Sequence, residues 1–338
     1  MTAAASSAEL AARIARLPAE IAAACRTSFP DLTRSSLSDR PLVATGAGAS
    51  EGPARTLSDS LAHAGLPSRF VPLSAFAGSQ PPLRDDEALV VFSQGLSPNA
   101  RIALRGRSHH TVVVTAVAPD PDAPTTSAAR HAADLEGAGV ARIPHGPEEE
   151  TGLLLRVLGP PLATLAALRL AAHLTERPLP LADLHAAVDA ARPPVPALPE
   201  PLGQLALVTA GAHQPAAHGL RWKLLEGIAA GDPPIWDVLQ FVHGAFQQFY
   251  DRPLTLLALE YPESPQSILF ERLERLLHAP HHRLIRLRAS LPGPLGWFEH
   301  DAMLDALLLA ELARQPRDLA DWPGKGEDRA LYDIDEPL

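Results

Sequence analysis

The residues best suited to chemistry fall into three groups. Lys223 and Glu226 stand three apart in Leu220-Arg221-Trp222-Lys223-Leu224-Leu225-Glu226 and so share a helix face. A carboxylate beside an amine is a standard proton-transfer arrangement, and a surface ion pair is the plainer reading of the same spacing. Nearby, His243 lies in Gln240-Phe241-Val242-His243-Gly244, an apolar setting that equally suits a structural histidine. The second group is the turn Gly46-Ala47-Gly48-Ala49-Ser50, which follows an apolar run and precedes a helical stretch. Backbone N–H groups at such a junction, with a small hydroxyl, suit an anion. The third is Ser93-Gln94-Gly95-Leu96-Ser97-Pro98-Asn99, whose neutral donors suit a phosphate or a polyol; capping by Ser97 or Asn99 is the simpler role. Two loops at the C-terminal ends of strands converge on one crevice of an open parallel sheet.

Competing motifs are weaker. The first turn fails the dinucleotide fingerprint, because Glu51 stands where a third glycine belongs, and it lacks the Gly-Lys-Ser/Thr ending of a P-loop. Gly48-Ala49-Ser50-Glu51-Gly52 matches the nucleophile elbow of serine hydrolases, but only one strand precedes it. The adjacent pairs His109-His110 and His281-His282 point in different directions, and no Cys/His ligand spacing occurs, so no metal site and no cofactor are expected.

Composition limits the function classes. Of 29 basic residues only Lys223 and Lys325 are lysine, and arginine replaces lysine as a charge but not as a titratable amine. A formal net charge of −10 argues against a nucleic-acid surface. The single Cys25 excludes an internal disulfide framework and fits a reducing compartment. No run is long enough to span a membrane and the first residues carry no signal pattern, so a cytoplasmic protein is expected.

The elements that must position these residues follow from the apolar pattern. Leu42–Thr45, Ser68–Pro72, Ala88–Phe92 and Thr111–Thr115 read as strands, with helices over Ala8–Cys25, Ala54–Ala64, Asn99–Arg105 and Thr151–Leu174. A proline-rich stretch over 177–203 suits a linker. The pattern then restarts, with strands at Leu205–Thr209, Leu254–Leu259 and Arg283–Leu287 and helices at Ala217–Ala230 and Asp301–Arg314. Alternating strands and helices imply an α/β fold with parallel sheets covered on both faces.

Taken in order, these pieces resemble proteins with two tandem SIS (sugar isomerase) domains, of which the isomerase half of glucosamine-6-phosphate synthase is an example. The resemblance runs from about Pro41 to Asp321 and rests on ATGAGASEGPA, FSQGLSPNA, Glu149-Glu150-Thr151-Gly152, the Lys223 to Glu226 segment and Gln240-Phe241-Val242-His243-Gly244. It implies two flavodoxin-like three-layer sandwiches at 41–176 and 204–320. They would be flanked by an N-terminal helical segment (1–40), the linker (177–203) and a tail over the active site (321–338).

The resemblance also implies an enzyme without a cofactor that moves a proton between C1 and C2 of an open-chain sugar or aminosugar phosphate. It would be an isomerase, deglycase or deaminase. Glu226 would be the base, with Lys223 beside it, and His243 would assist ring opening from a partner subunit of a homodimer. Gly46, Gly48, Ser50, Ser93, Gln94, Ser97, Asn99 and Glu150 would hold the substrate. The family's reactive C-terminal lysine falls at Asp321 here, with Lys325 four residues later. The SQGLSPNA loop lacks a serine and a threonine of the family pattern, and an enzyme without a glutaminase domain is expected. A sugar-phosphate-binding protein without catalysis, an SIS fold serving a non-sugar substrate, and a serine hydrolase using Ser50 are the alternatives.

Overall fold

The structure is a computed structural model. It describes residues 1–28, 37, 39–78, 82–105, 110–120, 126–147, 150–192, 198, 203–228, 231–262, 266–278 and 280–334. His109, Glu149, Ala229 and Ala230 lie outside the described residues. The chain divides into two compact units. One comprises Glu20–Gly152, Leu158–Pro180 and Asp321–Leu338, and the other Met1–Ala19, Leu153–Val157 and Leu181–Ala320.

The unit centred on residues 20–152 contains five parallel strands: β1 (Leu42–Gly46), β2 (Ser68–Phe70), β3 (Ala88–Phe92), β4 (Thr111–Thr115) and β5 (Ala141–Pro144), ordered β2-β1-β3-β4-β5. β-branched and apolar runs bury all five residues of β1, β3 and β4, as expected of strands covered on both faces. Alternation then sorts the side chains. Leu42, Ala44, Val90, Phe92, Val112 and Val114 join one core cluster, and Val43, Leu89, Val91 and Val113 the other. Past an N-terminal helix α1 (Ala3–Arg26), helix α2 (Glu51–His63) contributes Leu57 and Leu61 to the first cluster. Helix α3 (Ser127–Gly137) contributes Ala132 and Leu135 to the second. Helix α4 (Gly159–Thr175) adds Ala167 and Leu170 to the first. The result is a three-layer sandwich with the flavodoxin strand order, whose ligand crevice opens at the β1/β3 switch point.

The other unit contains β6 (Gln204–Thr209), β7 (Ile235–Asp237), β8 (Leu254–Glu260) and β9 (His282–Arg288), again parallel and ordered β7-β6-β8-β9. Helix α5 (Leu184–Ala190) precedes this sheet; α6 (Gln214–Trp222), α7 (Gln266–Leu276) and α8 (Gly296–Arg314) follow. Phe270 and Leu273 of α7 pack against Ala206, Val208, Leu256 and Ala258. Two parallel sheets flanked by helices are the architecture expected from the sequence.

Several elements depart from the sequence reading. The helix expected to open at Thr151 begins at Gly159: Gly152 takes φ +83°, and Pro160-Pro161 fit only a first helical turn. The intervening segment Leu153–Val157 belongs to the second unit, which explains its apolar character. The helix expected over Ala217–Ala230 starts earlier, at Gln214, and gives way to a π-helical turn over Lys223–Gly227. The last helix starts five residues before Asp301, at Gly296.

Candidate functional site

In the first unit, the two loops of interest follow β1 and β3 and flank the switch point. Gly46 ends β1 where the chain doubles back: a Cβ there would lie 2.5 Å from the Ser50 carbonyl oxygen, so only glycine permits the turn. Gly48 takes φ +57°, which glycine adopts without steric cost. Ser50 itself is relaxed (φ −81°, ψ −10°) at the N-terminus of α2, unlike the strained nucleophile of a hydrolase elbow. In the same first turn Glu51 pairs with Arg55 at 2.8 Å.

The loop after β3 is held from several sides. The Gln94 carbonyl accepts hydrogen bonds from Ala116 N and the Thr115 hydroxyl, both at 3.0 Å. Its side-chain Nε2 donates to Glu150 at 3.2 Å. Glu150, 2% exposed, also accepts from the backbone N–H groups of Leu158 (2.9 Å) and Gly159 (2.7 Å), so it neutralises the positive end of α4. Gly159 is required here, since a Cβ would lie 2.0 Å from the Gln94 amide oxygen. Leu96 is fully buried with φ +46°, a left-handed conformation that costs a non-glycine residue about 1 kcal/mol. Arg101 Nε donates to its carbonyl at 2.9 Å, and the Ser97 hydroxyl donates to Asn99 Oδ1 at 2.8 Å. Ser93 and Gln94 are buried; Ser50, Ser97 and Asn99 are half-buried. Gly46, Gly48, Ser50, Ser93, Gln94, Ser97, Asn99 and Glu150 therefore all belong to one unit and to the loops of one sheet edge. Lys325 lies in the tail of that unit, exposed, its amine 4.6 Å from the centre of the Trp322 ring.

In the second unit, the π turn over Lys223–Gly227 sets Glu226. Such insertions in helices recur at functional sites. Lys223 is 3% exposed and reaches α8, where its amine lies 2.8 Å from Asp301 and 2.6 Å from Asp305. The Lys223–Glu226 pairing suggested by their spacing does not form; the ammonium serves the two aspartates instead. Burial drives the Asp305 carboxyl up to about 7 despite that ammonium. Gly227 closes the turn: a Cβ would lie 2.6 Å from Leu308 Cδ1 and 3.1 Å from Leu155 Cδ2. Between these anchors Glu226 is half-buried, and desolvation lifts its carboxyl to about 7, with Arg156 acting in the opposite sense. A carboxyl balanced between acid and base near neutral pH suits proton abstraction and return. His243 lies on an exposed turn after Gln240–Val242, followed by Gly244 at φ +116°.

The second sheet has a switch point of its own between β6 and β8, which sequence reasoning missed. Gly211 and His213 after β6 hold the places that Gly48 and Ser50 hold after β1, and Gly211 repeats the positive φ at +63°. Here the switch point is filled from within. The His213 ring stacks on Tyr261, with centroids 3.6 Å apart, and Tyr261 meets His300 edge-on at 4.7 Å. The fully buried His300 donates Nε2–H between the carbonyls of Glu260 and Leu287, both at 3.0 Å, and desolvation lowers its pKa to about 4. The signal available in the sequence was the repeat of Ala-Gly-Ala before Ser50 and before His213.

Among the described residues no group of His, Cys, Asp or Glu is arranged to hold a metal ion, and no helix is long and apolar enough to cross a membrane. No protein-family model matches the chain, and no curated protein matches it by sequence. Similarity appears at the level of structure. A protein of Silicibacter pomeroyi assigned as a phosphosugar isomerase superposes with a TM-score of 0.69 at 17% identity, over 95% of this chain and 100% of that one. The C-terminal domain of glucosamine-fructose-6-phosphate aminotransferase from Francisella tularensis gives 0.66 at 12% identity, over 90% and 95%. Glucosamine-6-phosphate deaminase from Thermotoga maritima gives 0.66 at 14% identity, over 92% and 98%. The chain thus has the α/β fold of phosphosugar isomerase and deaminase proteins, two parallel sheets with helices on their faces.

Proposed function

We propose that this chain is an SIS-type enzyme acting on a sugar or aminosugar phosphate by proton transfer between C1 and C2. The observation that carries the reading is Glu226, a half-buried carboxyl on a π turn, raised by desolvation to about 7. As carboxylate it removes a proton from the carbon next to the open-chain carbonyl; as acid it returns that proton to the neighbouring carbon. The pKa match minimises the cost of both transfers at neutral pH. Ser50, Ser93, Gln94, Ser97 and Asn99 hold the phosphate or polyol end. The exposed His243 acts in ring opening from a second copy of the chain, in a homodimer with shared sites.

The test is solvent-deuterium exchange into hexose, pentose and aminosugar phosphates, chosen by the thermal stabilisation each confers. Glu226→Gln is expected to abolish exchange while ligand-induced stabilisation persists; a variant that still turns over removes Glu226 from the reaction. A second reading, a sugar-phosphate-binding protein without catalysis, is favoured by Asp321 at the family's lysine position and by the stacking of Lys325 on Trp322. It predicts stabilisation by ligand without any exchange, and Lys325→Arg without effect.

A further inference from the structure

The π turn over Lys223–Gly227 is fixed to one stripe of α8 at both of its ends. At its first residue, the Lys223 amine lies 2.8 Å from Asp301 Oδ1 and 2.6 Å from Asp305 Oδ1, and it donates to the Asp301 backbone carbonyl at 3.3 Å. At its last, Gly227 sits against Leu308, where a Cβ would come within 2.6 Å. Asp301, Asp305 and Leu308 are spaced i, i+4 and i+7, so they follow one another along the same helix face. Glu226 is carried between these two anchors.

The charges at the first anchor do not balance. One ammonium serves two carboxyl groups, and the three side chains are 3%, 1% and 0% exposed. Asp305 Oδ2 is buried with no hydrogen-bond partner among the described residues. A negative charge left in excess in such a place is costly, and binding one proton removes it. Asp305 is faced by Lys223 from the π turn and by Asp301 from the preceding turn of α8. The field of Arg192 also reaches it from just past α5, where that guanidinium donates to the Ile14 carbonyl. Burial, with Asp301 adding to it, outweighs the two cations and lifts the Asp305 carboxyl from 3.8 to about 7.

We propose that Asp301 and Asp305 hold one proton in common, and that this proton locks the π turn, and with it Glu226, onto α8. The two aspartates are then positioning residues that act on Glu226 through Lys223. The consequence for turnover rests on the reading of Glu226 as the reactive carboxyl; the lock itself does not. A docked turn binds this proton more tightly than a freed one, so docking is strongest at low pH. It weakens by up to about tenfold per pH unit as pH rises from about 4 toward 7, and it levels off above that range.

The lock is tested by amide hydrogen exchange at positions 224–227 in the full chain carrying Glu226→Gln, which removes the other carboxyl titrating in that range. Protection, corrected for the intrinsic rate, is expected to fall between about tenfold and a hundredfold from about pH 5 to pH 7 and to stay level above about pH 8. Adding Asp305→Asn keeps an acceptor for Lys223, removes the excess charge and is expected to make protection independent of pH. A flat profile before that substitution, or the same fall after it, overturns the proposal. NMR of the aspartate carboxyl carbons tests the unsubstituted protein: one coupled pair is expected to titrate in two separated steps, the upper near neutral pH. If every aspartate titrates below about pH 5, the shared proton does not exist. Deuterium exchange into sugar phosphates by the unsubstituted protein is measured alongside. A pH-dependent turn without sugar exchange leaves the lock standing and removes the isomerase reading, and sugar exchange with a flat protection profile does the reverse.

Discussion

Replacing Glu226 by glutamine should make the protein more stable above neutral pH, and the gain can be worked from the structure. The carboxyl has an ordinary value of 4.5 and sits at about 7 in the fold, raised by desolvation against the pull of Arg156. A carboxyl whose folded pKa lies above its unfolded one binds its proton more tightly when folded. Stability is therefore present at low pH and is lost as pH rises from 4.5 toward 7. At about 1.36 kcal/mol per pH unit, the full loss above pH 7 is roughly 3 kcal/mol, and partial exposure reduces it to about 2 kcal/mol. Glutamine has nearly the same shape and no charge to desolvate, so Glu226→Gln should recover that amount near pH 8 and less than about 1 kcal/mol near pH 5. Urea unfolding followed by tryptophan fluorescence suits the measurement, because Trp222, Trp236 and Trp297 all lie in the unit that carries Glu226. Of the nearby charges, Arg156 acts on the carboxyl through its field alone, and Lys223 is bound to Asp301 and Asp305. A gain of equal size at both pH values would refute the reasoning, since it would owe nothing to the ionisation of Glu226. The expected outcome is a residue kept for chemistry at the expense of stability.

Other perturbations test the supports of the two loops and of the π turn. Lys223→Met should destabilise by about 3–5 kcal/mol in chemical denaturation, because two buried carboxylates lose their cation, and adding Asp305→Asn should restore part of it. Gly227→Ala forces a methyl within 2.6 Å of Leu308 and should cost about 1–3 kcal/mol, with Leu308→Ala in the same chain relieving the clash in thermal unfolding. Gly159→Ala meets the Gln94 amide at 2.0 Å and should displace the loop after β3; loss of ligand-induced stabilisation beyond the loss of intrinsic stability is the readout.

The sequence and the fold agree most closely where one physical cause acts alone. β3 and β4 coincide with their apolar runs because both faces are covered and every residue is buried. β5 and β7 escaped notice: Ala141–Pro144 and Ile235–Asp237 are short, mostly half-buried edge strands that lack a continuous apolar run. The positions of the turns around Ser50 and Gln94 were readable because glycine and serine between an apolar run and a helical stretch mark a strand-to-helix junction. The anchors of Glu226 were not, since the partners of Lys223 lie 78 and 82 residues away on α8. A trace did exist: Asp301 and Asp305, four apart, interrupt an otherwise apolar helix face, and buried acids at that spacing call for a cation. The π turn had no counterpart in residue pattern, because an inserted residue changes hydrogen bonding without changing composition.

The division of the chain into two units has a consequence for how the gene can be cut. Neither unit is one continuous stretch: Leu153–Val157 interrupts the first, and Asp321–Leu338 returns to it after the second is complete. A fragment ending at Pro180 would carry five strands but lack its C-terminal segment, and a fragment starting at Leu181 would lack Met1–Ala19 and the strip that carries Arg156. Separate expression of two halves should therefore yield poorly folded products, whereas coexpression should allow them to complement one another. A cleavage within the proline-rich stretch over 177–203 would break the polypeptide without yielding either unit whole. The two sheets can still be compared strand by strand, but no single cut of the chain yields either unit whole.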